Sequence, residues 1–298
     1  MKYYLGIDLG GTNVRVAKVD EEGNVKMIKD SPSYAKEGRD KVIRNIIEMI
    51  QTFDLSNVEG IGIGVPGPVD DKTNMMTMAT NLPGFDYYPF AEIIENAVGK
   101  KVFVNNDANV AGVAEATVGA GKGCKIVYYF TQSTGIGGAL VIDGHVVGGR
   151  KGYAGEIGNI VVKENAPKIN HLALGAVENE ASGTALGRKG KEILGEKGDS
   201  ARKVFDLCRK GDPKAMEIID QMAKDLGRMM GTIALICDPD CFVIGGGCSK
   251  SHDLYFDKLR TYMADYVHEG MKDVPIYLAQ CQEPGVIGAA MLAREELK

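Results

Sequence analysis

Two glycine-rich turns, each set between two β-prone runs, constrain this chain more than anything else in it. The first is Asp8-Leu9-Gly10-Gly11-Thr12-Asn13, with Tyr3 to Ile7 before it and Val14 to Val19 after it. The second is Thr131-Gln132-Ser133-Thr134-Gly135-Ile136-Gly137-Gly138, between Ile126 to Phe130 and Ala139 to Ile142. A strand, a glycine turn and a returning strand put backbone N–H groups and small hydroxyls at a hairpin tip, where they can surround a phosphate. Two such tips facing each other would grip a polyphosphate between two lobes. The plain alternative is an ordinary hairpin with Asp8 as a turn cap, and the matching second turn weighs against it.

Composition narrows the setting. The 298 residues suffice for two domains with proper cores. The 39 glycines exceed the usual share of roughly 7% and cluster at turns, which marks backbone shaping. A net charge of −5 without a basic block argues against nucleic acid or an anionic membrane as partner. The start, Met1-Lys2-Tyr3-Tyr4-Leu5-Gly6, enters a strand directly, and no apolar run approaches the ~18 residues of a membrane span. Six cysteines without a C-x-x-C pair then read as reduced thiols of a cytoplasmic protein.

Periodicity places strands at 3–9, 13–20 and 25–30, a helix at 38–53, a strand at 59–64, a helix at 89–98, a strand at 101–105 and a helix from 106 to 118. The run Gly119-Ala120-Gly121-Lys122-Gly123 reads as a hinge. Beyond it strands return at 124–131, 136–142, 145–148 and 159–163. Helices follow at 182–195, 200–209, 212–236 and 250–268, with strands at 241–245 and 274–279 and a last helix at 285–297. Each half begins with paired strands around a phosphate-type turn and goes on in alternation. The pattern predicts a duplicated α/β fold with a cleft between the halves. The expected lobes are 1–118, joined by helix 285–298, and 119–284.

Several residues suit chemistry in that setting. Asp8, at a strand end beside a phosphate turn, can hold Mg²⁺ through its waters. Gly245-Gly246-Gly247, after the buried run Phe242 to Ile244, can lie flat against a nucleoside, or simply join a strand to a helix. Asp107, within Asn105-Asn106-Asp107-Ala108-Asn109, can accept the proton of an alcohol attacking a γ-phosphate; the alternative is a plain N-cap cluster. Glu156 and Glu178 lie near glycine loops and can bind vicinal hydroxyls, or can be solvated loop charges.

Taken in order, these motifs resemble the ROK family of sugar kinases and related repressors. The resemblance runs from Gly6-Ile7-Asp8-Leu9-Gly10-Gly11-Thr12 to Pro284-Gly285-Val286-Ile287-Gly288-Ala289-Ala290. Between lie Gly62 to Val69, Asn81-Leu82-Pro83-Gly84-Phe85, Asn106 to Asn109, Ser133 to Gly138, Gly155-Glu156-Ile157-Gly158, Ala181 to Ala185 and Ile244 to Gly247. It implies a two-lobed actin-like ATPase (ribonuclease H-like) fold with ATP and Mg²⁺ in the cleft, and a homodimer. It makes Asp107 the general base. It gives the hexose to Gly67, Asn81, Asn106, Glu156, Asn159 and Glu178. The phosphates go to Asp8, Gly10, Gly11, Thr12, Asn13, Ser133, Thr134, Gly135 and Gly137, and the nucleoside to Gly245, Gly246 and Gly247.

The sequence departs from that family at one place. A histidine usually follows Gly-Glu-Ile-Gly, and three cysteines complete a zinc site; here stand Asn159 and Ile169-Asn170-His171-Leu172-Ala173-Leu174-Gly175-Ala176. A lone imidazole cannot make a four-ligand zinc site, so no structural zinc is expected. Ile169, Leu172 and Leu174 are expected to brace the loop by apolar packing. The leading expectation is a glucokinase-type ATP-dependent hexose kinase. Kinases for fructose, mannose, allose or an N-acetylhexosamine stay open, as does a sugar sensor without turnover. A DNA-binding repressor is disfavoured, because Asp8 lies so near the start and the charge is acidic.

Overall fold

The computed structural model describes residues 1–79 and 81–298. In chain order the strands are β1 (Tyr3–Leu9), β2 (Asn13–Asp20), β3 (Val25–Pro32), β4 (Val58–Val65), β5 (Val69–Asp70), β6 (Met75–Met76), β7 (Lys101–Asn106), β8 (Ile126–Gln132), β9 (Ile136–Ile142), β10 (His145–Val146), β11 (Cys241–Gly245) and β12 (Ile276–Leu278). The helices are α1 (Arg39–Gln51), α2 (Phe90–Val98), α3 (Asp107–Thr117), α4 (Val177–Ala181), α5 (Gly183–Leu194), α6 (Ala201–Arg209), α7 (Pro213–Cys237), α8 (Phe256–Ala264) and α9 (Pro284–Glu296). Packing divides them into two units. The first holds Met1–Tyr129, Ala139–Gly155 and Ala279–Lys298; the second holds Phe130–Gly138 and Glu156–Leu278.

In the first unit the sheet order is β3-β2-β1-β4-β7. β2 runs antiparallel to β1, while β1, β4 and β7 are parallel. Central β1 and β4 are buried along nearly their whole length, so both read as continuous apolar runs and not as alternation. Val42, Ile43, Ile46, Met49 and Ile50 form the stripe by which α1 joins the core, and Phe85 meets Phe90 of α2 edge-to-face at 5.2 Å. Helices α3 and α9 come to the backbone itself. A Cβ on Gly6 would lie 1.8 Å from the Val286 carbonyl oxygen, and one on Gly288 would lie 1.7 Å from that of Val110. Only glycine permits those approaches.

Another five-stranded sheet has the order β10-β9-β8-β11-β12, with β11 and β12 parallel. Helices α4 to α8 belong to the second unit. Among the described residues no helix is long and apolar enough to cross a membrane.

Three local expectations need correction. Residues 159–163 form no strand; they carry only an isolated bridge between Val161 and Ala176. The expected helix 250–268 is a 3-10 segment, Cys248–Leu254, followed by α8. The break serves Tyr255, which leaves helical geometry (φ −143°), is 1% exposed and donates its hydroxyl to Gln132 Oε1 at 3.0 Å. The run 119–123 is pinned, not free: the Glu115 carboxylate accepts N–H bonds from Ala120, Gln280 and Cys281 at 2.9, 3.0 and 2.8 Å. That run lies inside the first unit, and the division falls within β8 and β9 instead of at 118/119. Packing explains it, because a Cβ on Gly112 of α3 would meet the Ala139 Cβ of β9 at 2.6 Å.

Candidate active site

Parallel pairing gathers the site of the first unit. Asp8 of β1 lies opposite Gly64 of β4, which lies opposite Asn105 of β7, so three strands end together. Beyond β1 the turn closes with Gly10 N–H donating to Asn13 O at 2.9 Å, and Gly11 packs on Asn81. Beyond β7 the Asn106 side chain caps α3, accepting from Ala108 and Asn109 N–H at 2.8 and 3.4 Å. Its Nδ2 donates to Gly67 O at 3.1 Å. Asp8, Gly10, Gly11, Thr12, Asn13, Gly67, Asn81, Asn106 and Asp107 thus belong to one unit.

Asp107 occupies the first turn of α3 and is exposed, with Oδ1 accepting Ala108 N–H at 2.8 Å. Surrounding protein still desolvates it enough to raise its carboxyl above the ordinary value. The Ala108 bond opposes that shift, and the charge of Asp8 adds to it. Burial likewise raises the Asp8 carboxyl, partly offset by Arg15. Arg15 is held by Glu283 at 2.6 Å and Asp30 at 2.9 Å, so it faces Asp8 as a fixed cation. One half-buried carboxylate at a strand end fits Mg²⁺, which keeps waters and takes its other ligands from phosphates.

A pocket of about 880 Å³ opens on the second unit. Ser133 and Thr134 of the second glycine turn line it, as does Gly247. The turn is fixed from below: Gly183 N–H donates to Ser133 O at 2.7 Å and Thr184 N–H to Thr134 O at 3.3 Å. Gly246, at φ +90°, passes so close to β8 that a Cβ would lie 2.4 Å from Gln132 O. A Cβ on Gly247 would meet nothing within 4 Å. Gly245, by contrast, is buried in β11, and neither it nor Gly135 nor Gly137 lines the pocket.

Sequence reasoning gave no role to Gly187, Arg202, Phe205, Arg209 or Lys250, which are among the other residues of the wall. Their one sequence signal was Ala181-Ser182-Gly183-Thr184, noted as a family marker; it starts α5, with Ser182 Oγ accepting Ala185 N–H at 3.2 Å.

The other proposed sugar residues also meet in the second unit. Glu178 stands in the first turn of α4, a helix where a loop was expected, and its Oε2 accepts Ile136 N–H at 2.9 Å. Gly158 packs between that carboxylate and Ile136 O, which draws the 156–159 turn to Glu178. Glu156 and Asn159 are exposed on that turn. Ile169 and Leu174 do not brace the 160–176 loop, being 38% and 53% exposed, and Leu172 is half-buried; its buried apolar residues are Val162, Ala166 and Ala176. Polar bonds hold it as well. Asn159 Oδ1 accepts Ala173 N–H at 2.6 Å, and Asn170 and Asn179 exchange two amide bonds, each of 2.9 Å.

Residues 4–296 match the ROK family. The chain belongs to that family. Similar ROK-family and glucokinase proteins extend over nearly the whole length. A glucokinase of Thermotoga maritima is 32% identical over 310 aligned positions, covering 98% of each protein. The ROK hexokinase of Thermus thermophilus superposes with a TM-score of 0.86 at 30% identity, covering 99% of each chain. The ROK glucokinase of Streptomyces griseus, solved in complex with glucose and AMPPNP, has a TM-score of 0.77 at 30% identity, covering 98% of this chain and 99% of its own. These relatives carry the actin-like ATPase fold, and this chain shares it.

Proposed function

We propose that this ROK-family chain is an ATP-dependent hexose kinase of glucokinase type. The observation that carries the proposal is the pocket walled by Ser133, Thr134 and Gly247, in a chain 30% identical to a glucokinase that binds glucose and AMPPNP. Asp107 orients the sugar 6-hydroxyl and takes its proton. That oxygen bonds to the γ-phosphorus while the bond to the β,γ-bridging oxygen breaks, and ADP leaves. An ordinary aspartate is a weak base for an alcohol, but a loose transition state lets the proton move late, so orientation dominates. A raised carboxyl also brings Asp107 nearer the working pH.

In this reading Gly67, Asn81, Asn106, Glu156, Asn159 and Glu178 hold the sugar. The turns 8–13 and 133–137 take the phosphates, and Gly245 to Gly247 take the nucleoside. Asn106 Nδ2 bonds Gly67 O and the side chain also lies within hydrogen-bonding reach of Asp107, which would set the sugar amide beside the base. Mg²⁺ bound beside Asp8 would offset phosphate charge. We also assign a cytoplasmic homodimer, which light scattering of the purified protein checks.

The test is ADP release from ATP across glucose, fructose, mannose, allose and N-acetylated hexosamines. Turnover should be greatest with glucose. Sugars that raise the melting temperature without any turnover would make the protein a sensor, and the kinase reading would fail.

A further inference from the structure

We propose that Asn159, Asn170 and Asn179 form an amide clasp that positions the sugar-binding face of the second unit without a metal ion. The proposal rests on the hexose-kinase reading of that face. It begins from a mismatch between the family's zinc centre and the side chains present. Zinc needs four soft or imidazole donors, and this stretch supplies neutral amides and one exposed imidazole, His171. The amide oxygens are already engaged. Asn170 Oδ1 accepts from Asn179 Nδ2 at 2.9 Å and from Leu172 N–H at 3.0 Å, while Asn159 Oδ1 accepts Ala173 N–H at 2.6 Å.

The bonds form a closed arrangement. Asn170 and Asn179 donate to each other, so neither side chain can move without breaking at least two bonds. Asn179 is only 8% exposed, and a buried amide left unpaired is costly. Its backbone oxygen takes a further bond from Arg188 Nη2 at 2.7 Å. The loop's two ends are laced together by Val162 N–H to Gly175 O and Val177 N–H to Ile160 O, at 2.9 and 2.8 Å.

Position in the chain turns this lacing into function. Asn179 follows Glu178, whose carboxylate also receives Ile136 N–H from the second glycine turn. Asn159 ends the turn that carries Glu156. Fixing Asn179 therefore fixes the azimuth of Glu178, and fixing Ala173 to Asn159 orients the amide that would meet a ring hydroxyl. Asn170 and Asn179 are positioning residues; they act through Glu178 and Asn159 chiefly on the sugar, with a smaller effect on the nucleotide through the Ile136 bond.

The experiment compares Asn170→Ala, Asn179→Ala, the double variant and Asn179→Asp in the full chain, with Mg²⁺ held in excess. Each single alanine variant should raise the hexose KM roughly tenfold, for two side-chain bonds lost at Asn179 and three at Asn170, and change the ATP KM far less. The double variant should be no worse than Asn170→Ala alone, because that change already removes every bond of the pair. Asn179→Asp keeps one bond and should fall between. A parallel rise in both KM values, additive effects, or an unchanged hexose KM would each overturn the proposal. So would about one zinc per purified wild-type chain, with activity lost to a zinc-selective chelator. If wild type turns over no hexose, the kinase reading fails by itself. The clasp is then judged by limited proteolysis at 160–176, which must be faster in the alanine variants; equal rates would sink it.

Discussion

A base must be ionised to accept a proton, and burial opposes that ionisation at Asp107. Turnover should therefore fall as pH drops through a value above the ordinary aspartate pKa of about 3.9. Asp8 contributes to the shift, so Asp8→Asn should move the acid limb of kcat/KM to lower pH, whatever it does to the plateau. A limb that stays in place would sever the coupling between the two carboxylates. Asp107→Asn should lower kcat by about 10²-fold or more while AMPPNP binding persists, measured by calorimetry. The sign for stability is the reverse of that for activity. A raised folded-state pKa stabilises most below the unfolded value and is lost as pH rises through the folded value. At neutral pH the ionised Asp107 is a burden on the fold, and Asp107→Asn should unfold at higher urea than wild type. Asp107 stood out in the sequence only through the family resemblance, because Asn and Asp are also ordinary N-cap residues. The amide pair did not stand out: Asn170 and Asn179 look like surface polar residues until the chain folds back and brings them together.

Elements were legible where periodicity was strong and obscure where one side chain overrode it. The α1 stripe and the apolar β1 and β4 follow directly from their sequences. The break before α8 does not, because it depends on the Tyr255 hydroxyl finding Gln132 far away in the chain. Small residues at 285, 288, 289 and 290 permit tight packing of α9, and Gly288 approaches Val110 O as closely as glycine allows. Gly288→Ala should destabilise the protein by about 3 kcal/mol, since backbone on both sides must shift to admit a methyl group. Urea unfolding followed by circular dichroism reads this directly; a loss under about 0.5 kcal/mol, the usual scatter of surface changes, would mean that α9 sits more loosely than its coordinates imply.

At the scale of the molecule, the pocket proposed for the nucleoside lies in the second unit and Asp107 in the first, so nucleoside binding and proton transfer should separate by mutation. Gly247 has ordinary helical dihedrals (φ −64°, ψ −33°) and open space where a Cβ would stand. Gly247→Val should fold normally yet raise the ATP KM by tenfold or more (on the order of 1.4 kcal/mol), with little change in hexose-induced thermal stabilisation. An unchanged ATP KM would remove Gly247 from the nucleoside's path. The duplicated α/β plan was readable from the two glycine turns. The division between units was not, because Gly119 to Gly123 imitates a linker while Glu115, a buried carboxylate, ties it down. One consequence concerns biosynthesis. β1 is translated long before the helix whose backbone seats against Gly6. Unit-by-unit folding during synthesis would let the second unit, complete at Leu278, mature first, leaving the first sheet without its partner at Gly6 until α9 emerges.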